Sequence, residues 1–127
     1  ELLSWMEQNK VDYTNTFCYL MNEYKPKSEI YNEKQFILWK KKWEDRITLN
    51  QNSLEKSFEI MRSVNPLVIP RNHLVEEALD LATQQDNLNK VNELLKVLKN
   101  PYNRISKTSD YQSMPLTDEK YVTYCGT

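Results

Sequence analysis

The chain has 127 residues, with 17 basic and 18 acidic side chains and a formal net charge of −1. That length suits one domain whose core buries roughly two thirds of the surface the unfolded chain exposes, and the balanced charge offers no global attraction to nucleic acid or to an anionic membrane. No apolar run approaches the length that spans a bilayer, no secretory signal is visible, and the two cysteines, Cys18 and Cys125, form no CxxC pair of the kind that holds zinc.

The first apolar pattern is Leu2, Leu3, Trp5 and Met6, a short helical stub ending near Asn9-Lys10. Asp12 or Thr14 then caps a helix whose apolar face is Tyr13, Phe17, Leu20, Met21 and Tyr24. Lys25-Pro26-Lys27-Ser28 breaks it, and a polar segment from Glu29 to Lys34 leads into a third helix. That helix carries Phe36, Trp39, Trp43 and Ile47 at helical spacing, with Lys40, Lys41, Lys42 and Arg46 on other faces. Asn50-Gln51-Asn52-Ser53 reads as a loop ending in an N-cap, and Leu54, Phe58 and Met61 mark the fourth stripe.

Pro66 and Pro70 stop that helix near Val64 and form a stiff joint over Asn65, Pro66, Pro70, Arg71 and Asn72. Asn65, directly ahead of Pro66, has the position of a capping residue followed by proline in a first turn, and Arg71-Asn72 opens the next helix. Leu74, Val75, Ala78, Leu79 and Ala82 form a fifth stripe. Gln84 to Asn87 breaks it with Asp86 as a cap, and Leu88, Val91, Leu94, Leu95 and Leu98 form a sixth that ends at Lys99-Asn100 before Pro101. From Tyr102 onward the pattern fails. Tyr111, Met114 and Pro115 are isolated anchors in a polar stretch that is either mobile or laid over a neighbouring surface, and Tyr121 to Tyr124 is its one strand-like alternation.

The expected fold is therefore all-α: an irregular bundle of five or six helices over residues 1–101, followed by an extended C-terminal tail over 102–127. The single glycine, Gly126, leaves few left-handed turns and no phosphate-cradling loop. Glu1 stands inside an apolar pattern, which reads as a piece of a longer protein entered mid-helix.

Chemistry is sparse. Lys40-Lys41-Lys42 beside Trp39 and Trp43 has the composition of a nucleic-acid patch, but the tryptophans share the apolar face and the lysines read better as a solvated helix side, so no nucleic acid is expected. His73 is the one histidine; without a placeable nucleophile or orienting acid it reads as a partly exposed structural residue. Adjacent Glu76 and Glu77 point to different helix faces and make no facing carboxylate pair. There is no GxGxxG, P-loop, HExxH or GxSxG, so no catalytic, cofactor-binding or metal residue is assigned. Arg71 stands at a helix start, where the dipole disfavours a cation; it is either paired with a carboxylate or carbonyls, or exposed. Cys18 lies in an apolar stripe and reads as a buried thiol. Cys125, on a polar tail, is either a free thiol without a role or one that reaches a distant partner.

Several stretches, taken in order, resemble the C-terminal region of the selenoprotein O family. They are Asp12-Tyr13-Thr14 with Phe17 and Leu20; Phe36 with Trp39; Met61 with Val64-Asn65-Pro66; Arg71-Asn72; Glu77-Ala78; Val91 with Leu94-Leu95; Asn100-Pro101-Tyr102; Pro115; and the closing Cys125-Gly126-Thr127. The resemblance implies a kinase-like core, placed before Glu1, that binds ATP with Mg2+ and transfers AMP to hydroxyls of other proteins. This piece would then be the non-catalytic helical region packed on that core, with protein substrates recognised by the whole. The resemblance also implies a redox-regulatory role for Cys125, matching a cysteine or selenocysteine third from the end, and a cytoplasmic, bacterial-type setting. The ending here is Cys-Gly-Thr where Cys-Ser-Ser is common in the family. Self-association through a face uncovered by excision is a further expectation. The competing reading is an independent helical interaction module with no enzymatic parent; the reading frame upstream of Glu1 discriminates the two.

Overall fold

The computed structural model describes residues 1–49 and 53–115. Among them are six α-helices and two short 3-10 helices, with no strand: α1 Leu2–Gln8, α2 Tyr13–Leu20, α3 Lys34–Leu49, α4 Leu54–Val64, α5 Asn72–Gln85 and α6 Asn89–Leu98, with 3-10 turns at Glu29–Asn32 and Thr108–Gln112. The all-α expectation is met. The strand-like alternation at Tyr121–Tyr124 and the loop over 50–52 lie outside the described residues. The chain forms two compact units, Glu1–Leu67 and Val68–Thr127, each taken by itself.

The first unit is built on aromatic side chains. Trp5 and Met6 of α1, Leu20 of α2, Tyr31 of the first 3-10 turn and Phe36 of α3 are buried together. Phe36 meets Trp5 at 4.5 Å between ring centroids and Tyr31 edge-on at 5.2 Å. Such pairs add about 0.5–1.5 kcal/mol each beyond the area they bury. Asp12 caps α2 by accepting from the Asn15 amide at 2.7 Å. Thr16 and Tyr31 share a buried hydroxyl–hydroxyl hydrogen bond of 2.8 Å. Arg62 of α4 pairs with Glu23 at 2.9 Å and ties α4 to the turn after α2.

Two sequence expectations in this unit need correction. Tyr13 is exposed, while Asn15, Thr16 and Cys18 are buried. The inward face of α2 is thus rotated toward small and polar residues, which the Thr16–Tyr31 bond makes tolerable. The segment from Glu29, read as merely polar, contains a 3-10 turn opened by Ser28, whose hydroxyl accepts from the Ile30 amide, and it delivers Tyr31 to the core.

The second unit has a thinner apolar core, with Ala78 of α5 and Leu94 and Val97 of α6 buried. Leu79 and Leu95, assigned to the inward stripes, are exposed, and Leu81 takes the half-buried place on α5. Asp86 is a cap, as expected, and the helix it caps is α5. It ends α5 in the left-handed conformation (φ 49°), and the amides of Asp86 and Asn87 both donate to the Leu81 carbonyl. The start of α6 is served instead by Asn87, whose Oδ1 accepts from the Asn89 amide.

A chain with one glycine must end its helices by other means. Lys10 and Asn22 take the left-handed place after α1 and α2 (φ 50° and 61°). Val11 then donates to Met6, and Glu23 to Cys18, in the reversed hydrogen bonds that close a helix. Asparagine supplies a second device. The side-chain amides of Asn9, Asn65 and Asn100 donate to the carbonyls four residues back, those of Trp5, Met61 and Lys96, at the ends of α1, α4 and α6. Asn65 therefore closes α4 and does not open a new turn, and its extended backbone (ψ 118°) is the one a following proline imposes.

Candidate functional site

A cleft of about 530 Å³ opens in the first unit where α1 faces α3. Trp5 and Phe36, both buried, lie at its floor. Leu2 and Trp39 are half-buried in its walls, and Leu38 is exposed at its lip. The polar residues around it, Glu1, Ser4, Gln8, Gln35 and Lys42, are exposed and lie at the rim. Helical spacing produces this arrangement. Leu2 and Trp5 stand one turn apart on α1, and Gln35, Leu38 and Lys42 follow one line along α3 next to that of Phe36 and Trp39.

From the cleft a ladder of rings runs along α3. Phe36 and Trp39 lie 5.8 Å apart, Trp39 stacks on Trp43 at 6.1 Å, and Trp43 stacks on Phe58 of α4 at 6.3 Å. The tryptophan faces are thus engaged with one another. Of the three lysines, Lys40 lies over the Tyr19 ring and pairs with Glu44 at 3.2 Å, Lys41 is exposed, and Lys42 borders the cleft. The cleft offers apolar contact with a rim that carries one carboxylate, Glu1, and one ammonium, Lys42; among its lining residues there is no cysteine, histidine or aspartate. Among the described residues no three His, Cys, Asp or Glu side chains converge to hold a metal ion, and no helix is long and apolar enough to cross a membrane.

The residues of the proline joint fall on either side of the division between units. In the first, Cys18 is fully buried and its thiol is directed to the carbonyls of Pro66 and Leu67 at 3.6 and 3.9 Å. In the second, Pro70 is exposed and Asn72 begins α5. Arg71 is buried, which removes the exposed reading of it, and its Nη1 donates to the thioether of Met114 at 3.1 Å. His73 is half-buried, with its Nε2 unbonded among the described residues. Glu76 and Glu77 are exposed, and Glu77 pairs loosely with Lys90. Cys125 and Gly126 lie outside the described residues.

Sequence reasoning underrated one cluster. Tyr111 is buried, and its hydroxyl donates to Glu93 of α6 at 2.8 Å. Lys107 bridges Glu93 and Asp110, and Lys90 lies over the Tyr111 ring. Burial, then the hydrogen bond to Glu93 and that carboxylate's charge, push the Tyr111 hydroxyl well above the usual tyrosine range. Ile105 and Thr108 bond each other reciprocally, main chain to hydroxyl and main chain to main chain. The polar stretch through Gln112 is thus laid on α6. The available signal was Tyr111 flanked by Thr108 and Gln112, buried in a segment whose composition alone reads as loop.

The family model described as Protein adenylyltransferase SelO matches residues 1–99. The chain belongs to the SelO family. Among its relatives, the protein nucleotidyltransferase YdiU of Pelagibacter ubique is 50% identical, across 100% of this chain and 26% of its own length. The YdiU proteins of Nitrosococcus oceani and Bacillus cytotoxicus are 39% and 38% identical, over 99% and 100% of this chain and again 26% of their own. The SelO-family chain thus spans about a quarter of the length of these curated bacterial relatives. No solved structure matches it. Its matched region contains both the cleft and the whole of α1 to α6.

Proposed function

We propose that this chain is the helical C-terminal region of a longer SelO-type protein and acts there as a non-catalytic scaffold. The parent would carry a kinase-like core that binds ATP with Mg2+ and transfers AMP to hydroxyl side chains of other proteins. The observation supporting this reading is coverage: all of this chain aligns with only 26% of a YdiU nucleotidyltransferase. A region of that size with an aromatic core and several half-exposed apolar residues, Leu3, Ile37, Leu38 and Leu95 among them, suits a brace for a neighbour.

The test compares the full-length parent with this 127-residue chain. AMP transfer from labelled ATP to protein is expected from the parent alone, and calorimetry should give no tight ATP binding to the short chain. Tight nucleotide binding by the short chain overturns the reading.

The proposed redox role of Cys125 has its own test. In the native, reduced parent a thiol probe should modify Cys125 far faster than Cys18, because Cys18 is fully buried. Equal rates, read from the two modified peptides, remove the support for a redox-sensing tail.

A further inference from the structure

We infer that the α1–α3 cleft is the seat of an aromatic or long aliphatic side chain from the part of the SelO-type parent that lies outside these 127 residues. The inference rests on the scaffold reading and assigns it a place.

The cleft has the anatomy of an interface. Its floor is buried and largely apolar, formed by the rings of Trp5 and Phe36, with the Trp5 indole N–H buried and unpartnered among the described residues. The polar groups stand around the edge, where they meet water. Protein interfaces are built this way, with a dry centre and a polar rim. At the lip Leu38 is 51% exposed, so a large aliphatic residue faces solvent next to a concave aromatic surface. Scattered exposed leucines need no explanation, but apolar residues grouped at a concavity mark a contact.

The occupant follows from length. Relatives of this chain are about four times longer, since the chain covers 26% of them. A segment of the same polypeptide reaches such a cleft at high effective concentration without the entropic cost of bringing two molecules together.

The experiment places the photo-crosslinking amino acid p-benzoylphenylalanine at position 38 of the full-length parent, with a second variant carrying it at the exposed Leu95 of α6. Irradiation of the position-38 variant should give an intrachain cross-link to a peptide outside this region, and Leu38→Arg in the same parent should raise hydrogen exchange at α1 and α3. A cross-link from position 38 to a second copy, or none, overturns the inference. If position 95 cross-links to the rest of the parent while position 38 does not, the scaffold reading stands and only the cleft assignment fails. If neither cross-links within the chain, both fail.

Discussion

Tyr111→Phe isolates the bond that holds the 107–112 segment on α6. The substitution keeps the ring, which is 3% exposed, and removes only the hydroxyl that donates to Glu93 at 2.8 Å. A hydrogen bond to a charged acceptor contributes about 1.5–3 kcal/mol net. Glu93 is 30% exposed and keeps Lys107 at 3.8 Å, so its carboxylate is not stranded when the hydroxyl goes. The cost therefore falls at the lower end, about 1.5 kcal/mol. Tyr111→Ala also removes the ring and should cost about 3–5 kcal/mol. Lys107→Ala, which deletes two solvated ion pairs, should cost less than about 1 kcal/mol. The assay is amide hydrogen exchange at Thr108 and Asp110, whose N–H groups donate to Ile105 and Lys107. About 1.4 kcal/mol corresponds to a tenfold change in an opening equilibrium, so Tyr111→Phe should speed exchange about tenfold and Lys107→Ala less than about fivefold. Unchanged exchange in both tyrosine variants would refute the claim that Tyr111 anchors this segment.

Three further outcomes are expected. Burial raises both Tyr31 and Tyr111 above the ordinary tyrosine value of 10.0, so their folded-state contribution is full below pH 10 and is lost as pH rises toward the folded values; urea midpoints should fall above pH 10, and Tyr111→Phe should make that fall shallower. Phe36→Ala, at a residue 1% exposed and in contact with Trp5, Tyr19, Tyr31 and Trp39, should destabilise the first unit by about 3–5 kcal/mol and abolish its near-UV circular dichroism. Lys10→Gly relieves a left-handed lysine and should stabilise by about 0.5–1 kcal/mol, seen as a raised urea midpoint; an unchanged or lowered midpoint would mean that Lys10 is not strained there.

Helix positions were legible in the sequence because apolar spacing and proline act locally. Pro66 and Pro70 place the end of α4 at Val64 and the start of α5 at Asn72. Inward faces were less legible, since they depend on what packs opposite. Thr16 turns inward because Tyr31, fifteen residues away, offers a hydroxyl, and nothing near Thr16 in sequence announces that. Tyr13 turns outward and packs on Phe17 at the surface. Caps were half legible. Ser53 accepts from the Lys56 amide and Asp86 caps a helix as their positions imply, but Asn65 closes a helix where an opening one had been expected, because asparagine serves either end. The cleft was illegible for a further reason. Trp5, Phe36 and Trp39 were each readable as core, but a concavity is set by the gap between α1 and α3, and periodicity within a helix carries no information about gaps between helices.

The two units hold themselves together by different means. The first concentrates its apolar surface in rings that touch one another from Trp5 through Phe36 and Trp39 to Phe58, so its shape is fixed by contacts that resist local collapse. The second buries few large apolar side chains and closes its surface with polar clamps, Arg71 on Met114 and Tyr111 on Glu93, while Leu79, Leu88 and Leu95 face outward. A unit of that size has little apolar burial to set against chain entropy, and hydrogen bonds exchanged with water add only modestly to it. Cover for those three leucines would add burial at about 25 cal/mol per Å² of apolar surface removed from water. Under the proposed scaffold reading, the second unit is therefore the one whose stability should rise most when a neighbour covers it.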